Sequence, residues 1–515
     1  MLTLHTRARS NVLMPRCESI VRRALRPLSS LIALFFVVHL VLAGGPASNS
    51  LICVYQQEVR ATVNTISSQA LSATGIPVPS MKNFDEVITD IMAKRSIPGG
   101  AVAVTKDGRL VLARGYGLAD RELNQQVQPV SLFRIGSISK PITAVTILKL
   151  AEEGRLDLDA KAFRVLDLKP LANASVDQRI YDITIRQLLE HSGGWNFTLT
   201  RRDPMQGSRQ IAEMIGVPPP LNSSMTIRFM LGIPLDFDPG KGFDYCNFGY
   251  CVLGRVIEKV TGQDYEGYVK SHILAPLGIT RMKLGRTLYK DRAENEVHYY
   301  DYPGAPLVQC VYPDEGMVPA PYGAFCFETA DSVGAWIASP VDLVRFVTAL
   351  DGRRPPAFLK PETVRLMVAR PAPPLWVGTT YGVYWGGDFY YALGWFVRPT
   401  GNDADWWHTG SIYGTSAILT RTYDGLAWAV AFNSMPKDID RFRGELDRAL
   451  RKAAREVTEW PTHDLFDQYG ASSTATPAVM FSWILLSSIQ AKYLRIRLHL
   501  QRTSGRSTSR VLGSR

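Results

Sequence analysis

A serine and a lysine lie three residues apart in the run 134–140, directly before an apolar stretch. On a helix this spacing places both side chains on one side, so the Lys140 amine can reach the Ser137 hydroxyl. Burial disfavours the charged form of lysine and lowers its pKa, which a lysine needs before it can take a proton from serine near neutral pH. Ser137 and Lys140 are therefore a candidate nucleophile and base.

A structural interpretation of the same run is also open. Ser139, in the same turn, could cap the helix while Lys140 extends to solvent, because serine favours helix N-termini and lysine tends to keep its amine in water. The spacing S-x-x-K also occurs by chance in many chains of this length. Other segments have to decide between the two interpretations.

A phenol and an amide lie two residues apart just before an apolar helical pattern at 252–258. In an irregular segment, Tyr245 and Asn247 project to one side. Tyr245 could then relay a proton, and Asn247 could hold Lys140 or a substrate carbonyl. Taken alone, Tyr-x-Asn is a common turn composition and is more typical of a structural role.

The segment His408-Thr409-Gly410-Ser411 follows two tryptophans and precedes the last hairpin pattern of the chain. Gly410 allows a substrate backbone to approach closely. The Ser411 amide, paired with the Ser137 amide, predicts an oxyanion hole. Taken alone, a histidine beside two tryptophans is more typical of packing.

The elements that must position these groups are indicated by hydrophobic periodicity. Apolar residues cover nearly every side of 141–151, which predicts a buried helix with Ser137 at its N-terminus, where the helix dipole favours negative charge. Alternating apolar residues flank Asp-Gly turns at 101–113 and 417–432, which predicts two hairpins, and an amphipathic helix follows at 439–457. The pattern predicts an α+β fold: an antiparallel sheet of N- and C-terminal strands, flanked by helices, with a mainly helical region inserted and the catalytic groups at the seam.

The composition is that of a globular protein with basic ends. The 515 residues are 46% hydrophobic and 20% charged, which is enough for one large domain or two. Of the net charge of +11, residues 1–27 contribute six arginines and one glutamate, and residues 490–515 contribute seven basic residues and no acid. The part between them is close to neutral. This argues against a nucleic-acid-binding core and for targeting or membrane-surface roles at the ends.

The N-terminal region predicts entry into a secretory route. The mostly apolar stretch 28–43 is long for the core of a signal peptide and short for a membrane span, so residues 1–45 are a basic segment with either a cleaved signal peptide or a signal anchor. Both alternatives place the rest of the chain outside the cytosol, secreted or membrane-anchored. A mitochondrial presequence fits a continuous apolar block less well.

Two further segments flank the predicted domain. Residues 46–82 have the mixed polar composition of a linker. Residues 459–515 form a tail with a basic amphipathic part, which could lie on a membrane surface or dock on the body as a helix, and its last dozen residues are expected to be disordered.

The cysteines and histidines do not predict a metal site. The six cysteines contain no C-x-x-C pair and the histidines do not cluster with them, so we expect no zinc site, no other metal and no organic cofactor. In an oxidising compartment Cys310 could bridge to Cys326 and Cys246 to Cys251. Buried free thiols are the open alternative.

The order S-x-x-K, then Y-x-N, then H-x-G before a terminal hairpin resembles the serine β-lactamase-like family. That family groups class C β-lactamases, D-peptidases, penicillin-binding-type esterases and the animal mitochondrial β-lactamase-like protein. The likeness covers roughly residues 83–457 and extends beyond the three motifs. The further matching segments are 98–104, 133–140, 183–194, 393–395 and 408–410.

The resemblance implies a β-lactamase/transpeptidase-like fold, an α/β sandwich, over residues 83–458. It also implies that Ser137 is the acylated nucleophile and that Lys140 and Tyr245 share the general-base and general-acid work. Asn247 would assist them. The third side of the site would be lined by His408, Thr409 and Gly410.

One departure from the family pattern bears on the substrate. β-Lactamases and peptidoglycan peptidases usually carry lysine where His408 stands, and its fixed charge helps to hold the substrate carboxylate. Histidine is neutral or charged near pH 7 depending on its surroundings, and it makes the chain more similar to the esterase and peptidase-like branches. We therefore expect a serine hydrolase that forms a covalent acyl-enzyme with a small-molecule or peptide ester or amide. A non-catalytic binding or scaffold protein of the same fold is the alternative.

Overall fold

The structure, a computed structural model, describes residues 72–372 and 388–470. The strands within these residues are β1 (Ala73–Thr74), β2 (Gly99–Lys106), β3 (Arg109–Asp120), β4 (Gln125–Gln126), β5 (Phe133–Arg134), β6 (Lys283–Leu284), β7 (Val308–Gln309), β8 (Met317–Val318), β9 (Trp336–Ala338), β10 (Tyr390–Tyr391), β11 (Phe396–Thr400), β12 (Asp403–Ile412), β13 (Thr415–Arg421) and β14 (Leu426–Phe432). Nine of them form an antiparallel sheet with the order β1-β3-β2-β14-β13-β12-β11-β10, with β4 paired to β3. Two small sheets, β5-β9-β6 and β7-β8, lie outside it.

Most helices of the described segments lie between the N-terminal and C-terminal strands. A short 3-10 turn, Gly136–Ile138, leads directly into the second of them. The α-helices are α1 (Lys82–Arg95), α2 (Ser139–Glu152), α3 (Ala162–Leu166), α4 (Ile185–Leu189), α5 (Phe197–Thr200), α6 (Ser208–Met214), α7 (Ser223–Met230), α8 (Asn247–Thr261), α9 (Tyr265–Val269), α10 (Asp331–Gly334), α11 (Pro340–Leu350), α12 (Pro361–Met367) and α13 (Ile439–Arg455).

Both predicted hairpins are present, and they meet at the centre of the large sheet. Asp107 and Gly108 turn β2 into β3 with φ of 49° and 79°, the left-handed values that this dipeptide accepts easily. β14 of the C-terminal hairpin then pairs with β2 in antiparallel register. The predicted α+β fold, with one sheet built from both ends of the chain and a helical region inserted between them, is confirmed.

The strands of the sheet present different residues to its two faces. Ala101 and Ala431 belong to the large apolar core on the side of the inserted helices, where their small side chains let α11 lie across β2 and β14. On the other face Phe432 packs against Phe442 of α13, with ring centroids 5.8 Å apart. Both faces are therefore covered, which is why β2 and β14 are buried along nearly their whole lengths.

The fold extends further in both directions than the predicted domain 83–458. At the N-terminal side, Ala73–Thr74 pairs with β3 and lies within the predicted linker. At the C-terminal side, Leu465 and Phe466 are 4% and 0% exposed and belong to the folded core, although they lie within the predicted tail. A two-residue strand and a short apolar turn carry no periodic signal, so neither could be found from pattern alone.

Several predictions concern residues outside the described part of the chain. These are the signal segment 1–45, most of the linker, and the tail from residue 471 onward. Among the described residues, no helix has both the length and the apolar character needed to span a bilayer.

Candidate active site

Ser137 and Lys140 lie together at the junction between the turn Gly136–Ile138 and α2. The Lys140 Nζ atom is 3.0 Å from Ser137 Oγ. Ser137 is partly exposed, whereas Lys140 is completely buried. The serine is therefore reachable from solvent while the amine beside it is shielded from water.

The alternative in which Lys140 extends to solvent is wrong. Ser139 does not cap α2 either: its Oγ accepts a hydrogen bond from the Trp336 amide of β9 at 3.2 Å. Nearly all side chains of α2 are buried, on every side of the helix, so a lysine in its first turn has no path to the surface.

Burial lowers the pKa of Lys140 from 10.5 to about 7, and the negative charge of Asp203 opposes part of that shift. A buried ammonium loses its hydration, and this loss disfavours the protonated form. A large fraction of the lysine is therefore neutral near pH 7 and able to accept a proton from an adjacent hydroxyl.

Two further oxygens contact the amine besides the serine. Asn247 Oδ1 lies 2.9 Å from Lys140 Nζ, and the Val333 carbonyl oxygen lies 3.1 Å from it. Asn247 is the first residue of α8, and its Nδ2 donates to Asp203 Oδ2 at 2.7 Å. The predicted contact between Asn247 and Lys140 is thus present, and it continues into a carboxylate.

Tyr245 lies against the amine with its ring. The ring centroid is 4.8 Å from Lys140 Nζ and 4.3 Å from the centre of the His191 ring. His191 is buried, its Nδ1 accepts from the Cys246 amide at 3.1 Å, and burial holds its pKa well below the usual value. The neutral His191 ring therefore packs against the Tyr245 ring and accepts a hydrogen bond from the next residue, Cys246.

The Gly410–Ser411 backbone of β12 lies directly against the nucleophile turn. A methyl group at Gly410 would lie 1.8 Å from the Ile135 carbonyl oxygen and 3.3 Å from the Ser137 amide nitrogen. A methyl group at Gly136 would lie 2.8 Å from the Ser411 amide nitrogen. The two segments can approach this closely because both positions are glycine, and the approach brings the Ser411 amide nitrogen close to the turn that carries Ser137.

His408 is buried in the sheet and does not supply a positive charge. Its Nδ1 lies 2.7 Å from the Thr409 carbonyl oxygen, so Nδ1 carries the hydrogen and Nε2 accepts from the Tyr391 hydroxyl at 3.1 Å. Burial lowers the pKa of His408 to about 3. Thr409 is also buried, and the Ser411 hydroxyl accepts a hydrogen bond from Arg443 of α13.

Three contacts of this site were missed from the sequence. Asp203 lies in a polar run that gave no signal, and the Val333 carbonyl is a backbone group. His191 lies in the matched segment 183–194 but was not assigned to the site. Each of them reaches the site through the tertiary fold.

The sequence model of the Beta-lactamase family matches residues 84–452, well over half of the chain. The chain belongs to the β-lactamase family. Two curated relatives of this β-lactamase family protein align over part of it. Protein flp of Staphylococcus aureus (strain MW2) is 31% identical over 214 residues, 41% of this chain and 40% of that protein. Esterase EstB of Burkholderia gladioli is 31% identical over 203 residues, 38% of this chain and 49% of that protein. The chain spans less than half the length of either relative.

Solved structures of the same fold cover most of this β-lactamase family chain. The octameric penicillin-binding protein homologue from Pyrococcus abyssi has a TM-score of 0.55 at 25% identity, covering 75% of this chain and 80% of that one. The D-amino acid amidase of Ochrobactrum anthropi SV3, in complex with L-phenylalanine, has a TM-score of 0.56 at 21% identity, covering 74% and 99%. The latter likeness shows the fold alone. The chain thus has a fold shared by hydrolases, with esterases and amidases among the similar proteins.

One group of side chains in the described segments has ligand atoms close enough for a metal ion. Asp120, Glu122 and His298 place one such atom each within 4.8 Å of one another. The Arg292 guanidinium lies 3.4 Å from Asp120 and supplies a cation to that group already. None of these residues belongs to the Ser137 site.

The described cysteines are free thiols. Cys246, Cys251, Cys310 and Cys326 are all buried, and none is in a disulfide. Of the two sequence alternatives, buried thiols therefore apply to these four positions. Cys17 and Cys53 lie outside the described residues.

Proposed function

We propose that the protein is a serine hydrolase that forms an acyl-enzyme on Ser137 with an ester or amide substrate. The observation that carries the proposal is the buried Lys140 amine 3.0 Å from the partly exposed Ser137 hydroxyl. A serine is a weak nucleophile at its ordinary pKa and needs an adjacent base. Lys140, with its pKa lowered to about 7 by burial, is suited to that role.

The proposed reaction has two steps. Neutral Lys140 takes the Ser137 proton while Ser137 Oγ attacks the substrate carbonyl carbon. The carbon–oxygen or carbon–nitrogen bond to the leaving group then breaks, and the leaving group takes the proton from Lys140 directly or through Tyr245. A water molecule next attacks the acyl carbon and gives one proton to Lys140, directly or through Tyr245. The bond between that carbon and Ser137 Oγ then breaks, Ser137 Oγ takes the proton back from the same groups, and the acid is released.

The charge that develops on the carbonyl oxygen needs donors fixed in advance. The Ser137 and Ser411 amides are the proposed donors, supported by the close approach of the two segments at Gly136 and Gly410. The helix α2 follows directly on the turn that carries Ser137, so the positive end of its dipole also faces the developing charge.

The residue at position 408 does not favour a substrate carboxylate. His408 stands where β-lactamases carry lysine, and its pKa of about 3 leaves it neutral at pH 7. A substrate carboxylate would therefore find no cation at this position, and the arginine near it, Arg443, is already hydrogen-bonded to the Ser411 hydroxyl. We therefore propose simple esters and uncharged amides ahead of penicillins as substrates.

The test is labelling and turnover by a Ser137→Ala variant. We expect the wild-type chain to react with a fluorophosphonate probe and to hydrolyse a chromogenic ester. Ser137→Ala should lose the label and lower the turnover rate by roughly 10³-fold or more. The control is Ser139→Ala in the same turn, which keeps the nucleophile and should keep the label.

Two outcomes would contradict the proposal. Persistent labelling or turnover in Ser137→Ala would show that another residue is the nucleophile. If the folded wild-type chain neither reacts with the probe nor hydrolyses esters, D-amino-acid amides and β-lactams, the non-catalytic alternative would stand instead.

A further inference from the structure

The Lys140 amine has as many contacts as a neutral amine can satisfy. Asn247 Oδ1 and the Val333 carbonyl oxygen lie 2.9 and 3.1 Å away, and both are acceptors. Neutral lysine has two N–H bonds and one lone pair. If the two hydrogens go to these oxygens, the lone pair is directed at the third neighbour, Ser137 Oγ, at 3.0 Å.

This arrangement requires one orientation of the Asn247 amide. A carboxamide has an acceptor at one end and a donor at the other, and the two ends have nearly the same shape. With the amide reversed, its NH₂ group would face Lys140 and would take up the lone pair. The base would then be directed away from the Ser137 hydroxyl.

The hydrogen bonds of the Asp203 carboxylate determine which of the two orientations the Asn247 amide adopts. Its Oδ2 accepts from Asn247 Nδ2 at 2.7 Å, and its Oδ1 accepts from the Met205 amide at 3.0 Å. The Asp203 carbonyl accepts from the amides of Gln206 and Gly207, which fixes the turn. A carboxylate with a donor on each oxygen can only accept, so the Asn247 NH₂ group must face it.

We propose that Asp203 is a positioning residue, which locks the Asn247 amide and through it directs the Lys140 lone pair at Ser137. The inference rests on the proposed function, since it assigns a role in preparing the same base. The side-chain hydrogen bonds of Asp203 among the described residues go to Met205 and Asn247, and not to Ser137 or Lys140. Its effect passes through Asn247.

The same carboxylate acts on the charge state of the lysine. Asp203 is the acid among the titratable groups near the amine, and its negative charge raises the pKa of Lys140 against the larger effect of burial. Burial raises the pKa of the Asp203 carboxyl, while its hydrogen bonds favour the ionised form. The other titratable groups that face the amine are Tyr245 and Cys246 before α8, Tyr250 on α8, His191 after α4 and His408 on β12.

The first test is Asp203→Asn, which removes the charge and keeps the shape. The NH₂ group of the new asparagine would face an N–H donor, either the Met205 amide or the Asn247 side chain, so the Asn247 amide is no longer held in one orientation. We therefore expect kcat/KM for the chromogenic ester to fall by roughly 10- to 100-fold, mostly in kcat. Loss of the negative charge should also move the acidic limb of the kcat/KM–pH profile to lower pH. The control is Asp236→Asn, whose carboxylate accepts from the Asn196 amide at 2.6 Å.

The second test exchanges the two residues in the double variant Asp203→Asn/Asn247→Asp. The amide introduced at position 203 could accept from Met205 and donate to the carboxylate introduced at position 247. That carboxylate would accept from Lys140, so every hydrogen bond has a partner again. We expect partial recovery of kcat relative to Asp203→Asn. Because the charge now contacts the amine, the acidic limb should move above the wild-type position.

The outcomes separate this inference from the proposed function. An Asp203→Asn variant with an unmoved acidic limb, or a double variant that shows no recovery and no upward shift, would overturn the role of Asp203. If Asp203→Asn does not fold, the reference becomes the single variant Asn247→Asp, whose kcat the double variant should exceed because only the double variant restores a donor at position 203. Turnover that survives Ser137→Ala would instead overturn the proposed function, whatever the Asp203 variants do.

Discussion

At the scale of single residues, the site depends on an amine kept in an unfavourable environment. A fully buried lysine in contact with uncharged oxygens is destabilising when it is protonated. A purely structural residue at this position would be apolar. The same burial that disfavours the folded state would prepare Lys140 to act as the base of the proposed reaction, and strongly shifted pKa values of this kind are typical of functional sites.

The buried amine makes the stability of the fold depend on pH. The folded-state pKa of Lys140 is lowered to about 7 from 10.5, so the unfolded chain binds the proton more tightly. The destabilisation is complete below pH 7 and decreases as the pH rises towards the unfolded value. We therefore expect Lys140→Met to raise the free energy of unfolding, relative to wild type, by more at about pH 6 than at about pH 9. The difference between variant and wild type should change by roughly 2–3 kcal/mol between the two pH values.

Urea unfolding of both chains at the two pH values measures this change. The absolute difference also contains the lost contacts to Asn247 and Val333, but these do not vary with pH. Lys149→Met is the matched control, because Lys149 lies on the same helix, is partly exposed and contacts Glu152 at 3.0 Å. If the difference in unfolding free energy between Lys140→Met and wild type did not change with pH, the Lys140 amine would not be desolvated in the folded protein.

At the scale of elements, the sequence predicted what is local. The Asp-Gly turns predicted both hairpins, and the apolar periodicity predicted α2 and α13, because each signal lies within a few residues of the structure it specifies. The Asp203 contact could not be predicted in this way. It is formed by residues 44 positions apart and depends on how the loop before α6 folds over α8.

The contact between β12 and the nucleophile turn gives a prediction at this scale. A methyl group at Gly410 would lie 1.8 Å from the Ile135 carbonyl oxygen. Neither backbone can move easily, because the sheet holds Gly410 and the start of α2 holds Ile135. Gly410→Ala must therefore move β12 away from Ser137 and separate the two proposed oxyanion donors. We expect kcat/KM for a chromogenic ester to fall by roughly 10²-fold or more.

Gly470→Ala is the control for this variant. An added methyl group there has its nearest neighbour, the Asp467 carbonyl oxygen, at 3.6 Å, so activity should remain close to wild type. The melting temperature of Gly410→Ala should fall as well, since the strand has to shift. Unchanged turnover in Gly410→Ala would show that the Ser411 amide takes no part in the reaction.

At the scale of the whole molecule, the sheet joins distant parts of the chain. β2 and β14 are paired although more than 300 residues separate them. The inserted helices carry Asn247 and Val333 to the Lys140 amine, and β12 of the sheet lies against the turn that carries Ser137. The groups of the candidate site therefore come together only when both ends of the fold are in place. Contacts that hold the ends should influence stability out of proportion to their size.

Phe466 is such a contact, and it provides the last prediction. Its side chain is fully buried, with the guanidinium groups of Arg345 and Arg354 over its ring at 4.3 and 4.4 Å. The neighbouring Leu465 amide donates to the Leu110 carbonyl oxygen of β3 at 2.9 Å, which ties the C-terminal segment to the N-terminal hairpin. Phe466→Ala would leave a cavity and two unstacked arginines.

We expect Phe466→Ala to lower the free energy of unfolding by about 3–5 kcal/mol, as is usual for a buried phenylalanine. Leu123→Ala, at a side chain that is 71% exposed, should change it by less than about 0.5 kcal/mol. Urea unfolding followed by fluorescence measures both values. If Phe466→Ala were as stable as wild type, residues 459–470 would be a tail, as their sequence alone suggested, and not part of the fold.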